Sequence, residues 1–379
     1  MKAKNKANPS NHRVALVLQG GGAMGAYQAG VYQALHEYDL APDWVVGTSI
    51  GAINAAIIAG NHRGVRLARL KEFWHGIAHP DLLDMRRVAD PMRKFNTWLA
   101  TADATMRGVP GFFVPRPLNP FCAGLPVPPE AASFYDTRDL AATLEKLVDF
   151  PYLNTPGGMR LTVNAMRVTT GALASFDSQS HALGIEHILA SGALPPGFPP
   201  VRIDGELYWD GGLFSNTPLE TVLDEEPQVD TLCFMVDLWS AKGPEPHTLE
   251  EVQTRQKDVM YASRSRRHID NYLRTHQLRR IARALYNQLP PESKHALPPE
   301  DLAAIGTDTT MHIVRLVYAG RDWHMAAKDI NFSLGSIEWR WEQGYRDATR
   351  AIEHAGWTSF VPAETGVIVH ELTSERASK

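Results

Sequence analysis

The alternation of apolar runs, glycine turns and helical periodicity along the chain predicts an α/β protein. Residues 13–20 (RVALVLQG) have the continuous apolar character of a buried strand, and a glycine loop follows them. Beyond that loop, Met24, Tyr27, Val31, Leu35 and Tyr38 recur at helical spacing and give the next helix one apolar face. Trp44, Val45 and Val46 form a second short buried strand, and the helix-forming stretch AINAAIIA comes soon after it. Leu67, Leu70, Trp74 and Ile77 mark a further helix face. Strands over 160–168, 172–177 and 231–238, with a hairpin over 201–209, complete the sheet. Strands and helices in this order build a sheet covered by helices.

Two regions break the alternation. Strand and helix signals fade over residues 90–130, which include GVPGFFVPRPLNPFCAGLPVPPE with seven prolines and the apolar cluster Phe112, Phe113 and Val114. A long segment without structure of its own is either a lid or channel over a site, or a loop packed on the core. From about Lys242 the character changes again. Residues 259–289 carry seven arginines against one aspartate, with an intermittent apolar stripe of Ile269, Leu273, Leu278, Ile281 and Leu285. Such a helix lies on an anionic bilayer or docks on the preceding α/β domain with a solvated basic face, and the slightly acidic chain favours docking. Residues 312–320 then read as a strand, and 335–355 as a helix bearing Trp339 and Trp341.

Composition narrows the class. Lysine and arginine number 38 against 42 acidic residues, a net charge of −4 over 379 residues, which argues against general nucleic-acid binding. Of the two cysteines, Cys122 lies in the proline-rich segment and Cys233 inside a strand. A structural disulfide is therefore not expected, and a reducing compartment is. Residues 1–12 are basic and polar with no apolar core, so they read as a disordered leader. The longest uncharged stretch, 44–61, is too short to span a bilayer. The expected location is cytoplasmic, with peripheral membrane contact left open.

The chemistry concentrates at three places. Residues 47–51 read GTSIG, so Ser49 sits on a tight turn between strand and helix. A G-x-S-x-G elbow uses both Gly47 and Gly51, because a Cβ at either flank would meet neighbouring backbone. The helix N-terminus beneath the serine favours developing negative charge. Alone, the pentapeptide is also compatible with an ordinary turn. The loop carrying Gly20, Gly21, Gly22 and Gly25 ends at the same sheet edge. It would serve a dinucleotide pyrophosphate or an oxyanion held by backbone N–H groups. A dinucleotide site would need an acidic residue at the end of the second strand, where this chain has Gly47, Thr48 and Ser49. The third element is Asp210, which the 201–209 hairpin delivers onto the turn Gly211-Gly212; alone, that is only a turn signal.

Oxyanion loop, serine elbow and aspartate turn, in this order, resemble the patatin-like phospholipase family over residues 13–237. The resemblance implies a three-layer α/β/α hydrolase fold over 13–241, with 90–130 inserted and a mainly helical C-terminal extension over 242–379, as in a bacterial subgroup. It implies Ser49 as nucleophile, Asp210 as base without a histidine, and Gly20, Gly21, Gly22 and Gly25 as the oxyanion loop. Hydrolysis of lipid-like carboxylic esters through an acyl-enzyme follows, with no metal or organic cofactor. Met24 departs from the basic residue many members carry, and Gln19 from an acidic or small polar one.

Several alternatives keep their place. Chain order allows a Ser/Asp/His triad using His247, His268, His276, His312, His324 or His354. A hydrolase of oligomeric hydroxyacid esters and a catalytically silent lipid-binding module are the others. A carboxylate of ordinary pKa, about 3.9, is a weak base for serine, and a dyad built on it should stay active below the roughly 6.5 of imidazole. His75 and His79 have metal-ligand spacing, but Pro80 ends the helix and no acidic partner is expected beside them, so they read as structural.

Overall fold

A computed structural model describes residues 12–81, 90–116, 124–226, 229–262, 265–294, 309–320, 327–354 and 366–371. The expected leader, apart from His12, lies outside the described residues, as do Cys122 and residues 117–123 of the proline-rich segment. The centre is a nine-stranded sheet. Its strands are β1 (Arg13–Leu18), β2 (Trp44–Gly47), β5 (Arg160–Arg167), β6 (Leu173–Asp177), β7 (Val201–Ile203), β8 (Glu206–Asp210), β9 (Thr231–Asp237), β10 (Met311–Val317) and β11 (Val367–Glu371). Two further short strands, β3 (Val114–Pro115) and β4 (Tyr135–Asp136), pair separately. The order is β11-β10-β9-β1-β2-β5-β8-β7, with β6 also on β5. From β11 to β5 every pairing is parallel, and the β6, β7 and β8 pairings are antiparallel.

The period of two in β1 explains the layers. Val14, Leu16 and Leu18 face one core, and Ala15 and Val17 the other. The larger core is closed by α1 (Ala26–Glu37), α2 (Ile50–Ala59) and α3 (Arg66–Gly76). The smaller is closed by α8 (Leu219–Leu223) and by Ile269, Tyr272 and Leu273 of α10 (Ser265–Gln288). This is the expected three-layer arrangement. The C-terminal region is largely helical, and it also lays β10 and β11 beside β9, so the central sheet continues across the boundary expected near residue 241.

Two expectations need correction. Residues 90–130 are not uniformly irregular, because Asp90–Arg107 form an 18-residue helix, α4. Trp98 and Met106 are exposed on it, and these outward apolar residues blur the period the sequence displays. Nor does α1 bury only one face. Its other side is covered by α12 (Leu334–His354), with Gly30 beneath the Trp341 carbonyl and Gly344 beneath that of Tyr27. The two backbones approach so closely that any Cβ at these glycines would overlap main chain.

Candidate active site

Strand β5 positions the site. Its edge carries β2 as far as the pair Gly47–Val163, then β8 from the pair Asp210–Ala165. β6 occupies the opposite edge over residues 162–166, so β2 and β8 share one side and meet end to end. The elbow and the aspartate thus arrive together from segments far apart in sequence. Ser49 adopts φ 58° and ψ −126°, a conformation unfavourable for a residue with a Cβ. Gly47 and Gly51 allow it, since a Cβ on Gly47 would overlap the Gly51 carbonyl and one on Gly51 the Leu18 carbonyl.

One short segment holds both residues. At the end of α7 (Ile185–Ser191), Ser191 accepts from the Ser49 N–H at its hydroxyl, 3.0 Å, and at its carbonyl, 3.1 Å. Two residues on, the Ala193 carbonyl accepts from the Asp210 N–H at 3.0 Å. Asp210 is buried, and the Gly212 N–H donates to its Oδ1 at 2.7 Å. Burial pushes its pKa from the ordinary carboxylate value up to about 7, against the opposing hydrogen bonds from the Ser49 side chain and Gly212. The Asp210 carboxylate is therefore a stronger base than its type suggests.

The glycine loop closes over the serine. A Cβ on Gly20 would stand 3.0 Å from the Ser49 Cβ. The four loop glycines differ in what they do. Gly20 N–H is bonded to the Asn216 carbonyl at 3.1 Å, and Gly25 packs beneath Ile50 and Trp74. Gly21 and Gly22 have N–H groups with no partner among the described residues. Gly211 lies against the Asn164 carbonyl, and Gly212 beside Asn216 and Asp210.

Gln19, Trp239 and Asn216 lock this loop, and of these only Gln19 stands out in the sequence. Gln19 accepts from the N–H groups of Leu238 and Trp239, and Trp239 Nε1 donates to the Gly20 carbonyl at 3.0 Å. Asn216 donates to the carbonyls of Gly20 and Tyr261, at 3.2 and 3.0 Å. The unusual Gln19 thus satisfies the chain entering the region after β9. Met24 is fully buried against the loop from below.

Ser49, Asp210, Gly21 and Gly22 open into a cavity of about 360 Å³. Its far wall is apolar, with Phe112, Phe113, Tyr135, Leu140, Phe198 and Phe332. Of the cluster expected to be lid or packed loop, Phe112 and Phe113 are buried and line the cavity, among Phe198 and Phe332 with ring centroids 5.3–6.4 Å apart, while Val114 is exposed and does not line it. No histidine is among the described residues lining the cavity. His312 stacks on His370 across β10 and β11, and the side chains of His268 and His324 lie outside the described residues. His79 does have an acidic partner, Asp103 of α4 at 3.1 Å, and no metal-ligating cluster occurs among the described residues.

Fold and site together define a three-layer α/β protein with a serine–carboxylate pair at the floor of an apolar cavity. A family model described as patatin-like phospholipase matches residues 16–223, more than half of the chain, and the chain belongs to that family. A second model, described as patatin phospholipase, matches residues 259–364. The chain is 28% identical over 215 residues to patatin-like phospholipase domain-containing protein 6 of Homo sapiens and of Mus musculus, 56% of this chain and 12% of those proteins. It therefore spans about an eighth of their length. Triacylglycerol lipase 4 of Saccharomyces cerevisiae is 47% identical over 51 residues, 14% of this chain and 6% of that protein. Among solved structures, VipD from Legionella pneumophila aligns with TM-score 0.39 and 14% identity over 91% of this chain and 67% of its own. The type III effector ExoU aligns with TM-score 0.32 and 14% identity over 91% and 53%.

Proposed function

We propose that the protein is a serine hydrolase that cleaves carboxylic esters of lipid-like acyl groups through an acyl-enzyme on Ser49. The observation that carries this reading is the Ser49–Asp210 pair, a strained serine and a buried carboxylate of raised pKa that line the base of one aromatic cavity. Ionised Asp210 removes the hydroxyl proton as Ser49 Oγ attacks the ester carbonyl carbon. The oxyanion that forms accepts hydrogen bonds from the Gly21 and Gly22 N–H groups, each such donor lowering the barrier by about 3 kcal/mol. Asp210 then gives its proton to the departing alcohol. Water, deprotonated by the same carboxylate, releases the acid and restores Ser49.

The raised pKa matters to this scheme, because proton transfer is efficient when the base titrates near the working pH. The acyl chain occupies the wall formed by Phe112, Phe113, Phe198 and Phe332, where its burial supplies binding energy. Membership in the patatin-like phospholipase family supports a lipid ester as substrate. Among the described residues no helix is long and apolar enough to cross a membrane. The acid expected for a ribose site is missing, and the loop glycines enclose Ser49, which disfavours nucleotide binding. The test is a fluorophosphonate probe followed by a panel from short soluble esters to phospholipid vesicles. Stoichiometric labelling at Ser49 and turnover of acyl esters are expected; an unlabelled, inactive protein would leave a lipid-binding module.

A further inference from the structure

The chain beyond residue 241 reaches the oxyanion loop directly. The Asp329 carbonyl accepts from the Ala23 N–H at 2.8 Å and fills the space a Cβ on Gly22 would need, where φ is +55°. That contact adds to those of Gln19, Trp239 and Asn216 on the loop, in which the Gly21 and Gly22 N–H groups have no partner among the described residues. The Asp329 carboxylate in turn receives Lys257 Nζ on both oxygens, at 2.9 and 3.0 Å. Lys257 belongs to α9 (Leu249–Tyr261), and its neighbour Asp258 pairs in the opposite sense with Lys328 Nζ at 2.5 Å. Two adjacent residues on each segment thus form crossed ion pairs. Arg340 of α12, fully buried, donates to the carbonyls of Lys328 and Asn331 at 2.8 and 3.0 Å and supports the turn from behind.

These pairs differ from decorative surface bridges. All four side chains are at most 30% exposed, so solvent screens them only in part. Lys257 and Asp329 also line the cavity that holds Ser49, and Lys257 is the only cationic side chain among the described lining residues. An oxyanion site is effective because its donors are fixed before charge develops, and a displacement of about 1 Å costs on the order of 10²-fold in rate. A glycine loop has little intrinsic reason to hold one conformation.

We propose that Lys257 and Asp329 are positioning residues of the oxyanion loop: the crossed ion pairs hold the Asp329 carbonyl on the Ala23 N–H and so preset the Gly21 and Gly22 donors. The C-terminal region is then part of the catalytic unit. Neither side chain touches the reacting atoms in this scheme. The inference rests on the esterase reading of the same cavity.

The experiment uses the full chain and the variants Lys257→Met, Asp258→Asn and Lys257→Arg. Hydrolysis of a short soluble ester, the rate of fluorophosphonate labelling and hydrogen exchange in the 19–25 peptide are measured, with thermal unfolding as the folding control. Lys257→Met should lower kcat and the labelling rate about tenfold while KM stays within about twofold, and exchange in 19–25 should quicken. Asp258→Asn should act in the same direction. Lys257→Arg, which keeps a bidentate partner for Asp329, should recover most of the loss. Unchanged exchange and a kcat within about twofold of the parent in both neutralising variants would overturn the proposal. If the parent itself is neither labelled nor active, the esterase reading fails and exchange alone decides whether the clamp exists.

Discussion

Gly47 and Asp210 lie two positions apart on one edge of β5, opposite Val163 and Ala165. The first ends the strand that leads into Ser49, and the second is the candidate base. Their separation is set by backbone pairing, so the serine–carboxylate pair is as rigid as the sheet centre. A one-residue slip of β8 would turn Asp210 to the other face, and the bond between the Asp210 N–H and Ala193 opposes that slip.

The elbow conformation predicts a trade between stability and chemistry at Ser49. A Cβ at φ 58° is strained, so Ser49→Gly should relieve about 1 kcal/mol or more while Ser49→Ala should not. Both variants should lose fluorophosphonate labelling and all turnover. Thermal unfolding compared with probe incorporation tests this; labelling retained in either variant would place the nucleophile elsewhere.

Asp210 predicts a specific pH dependence. As a base it must be ionised, and burial holds its pKa at about 7, so kcat/KM should fall as pH drops through that value. Stability runs the other way. The folded-state pKa lies above the unfolded one, so the contribution of Asp210 is fully present below the ordinary carboxylate pKa and is lost as pH rises through about 7. Asp210→Asn should therefore abolish turnover yet raise Tm at pH 8, with the gain shrinking toward pH 4. An acidic limb near 5, or an Asn variant less stable at pH 8, would contradict the assignment.

How much of this was legible follows from where each constraint acts. The Ser49 elbow and the Asp210 turn write themselves into adjacent glycines, because the strain is local. The clamp on the oxyanion loop does not. Asn216, Lys257 and Asp329 are ordinary residues in sequence, and their role exists only once segments far apart in the chain converge. The same holds for the second buried face of α1, set by Gly30 and Gly344 more than three hundred residues apart. The raised pKa of Asp210 was invisible because it comes from burial by the assembled fold. Strand β11 was missed because a five-residue edge strand gives little periodic signal.

The aromatic wall predicts control of acyl-chain length. Phe113 and Phe332 line the cavity at a centroid separation of 6.4 Å, and both are buried. Phe332→Ala or Phe113→Ala should each destabilise the fold by about 3–5 kcal/mol through the space left behind. In the folded fraction the optimum should move to longer acyl chains, with kcat/KM for short esters reduced. An unchanged chain-length profile across a series of p-nitrophenyl esters would put the acyl group outside this cavity.

The last prediction concerns α10, whose two halves differ. Ile269, Tyr272 and Leu273 pack on the smaller core, which bears out docking for the first part of the helix. Further along, Leu278, Ile281 and Leu285 recur at helical spacing and are 67, 49 and 61% exposed. Arg274, Arg279, Arg280 and Arg283 lie in the same stretch, Arg280 donating to the Thr309 carbonyl at 3.1 Å and Arg283 Nε being buried; a basic residue near anionic lipid is worth about 1 kcal/mol. Arg279 is partly engaged by Glu226 at 3.4 Å, so the full charge of the stretch is not free. The protein is expected to sediment with phosphatidylglycerol vesicles at low salt and to be released as salt shortens the range of the attraction. Leu278→Ser combined with Leu285→Ser should weaken that binding and leave hydrolysis of a short soluble ester unchanged, since neither residue lines the cavity. If the native protein ignores anionic vesicles even at low salt, the stripe is a protein contact, and substrates reach Ser49 from solution or dispersion.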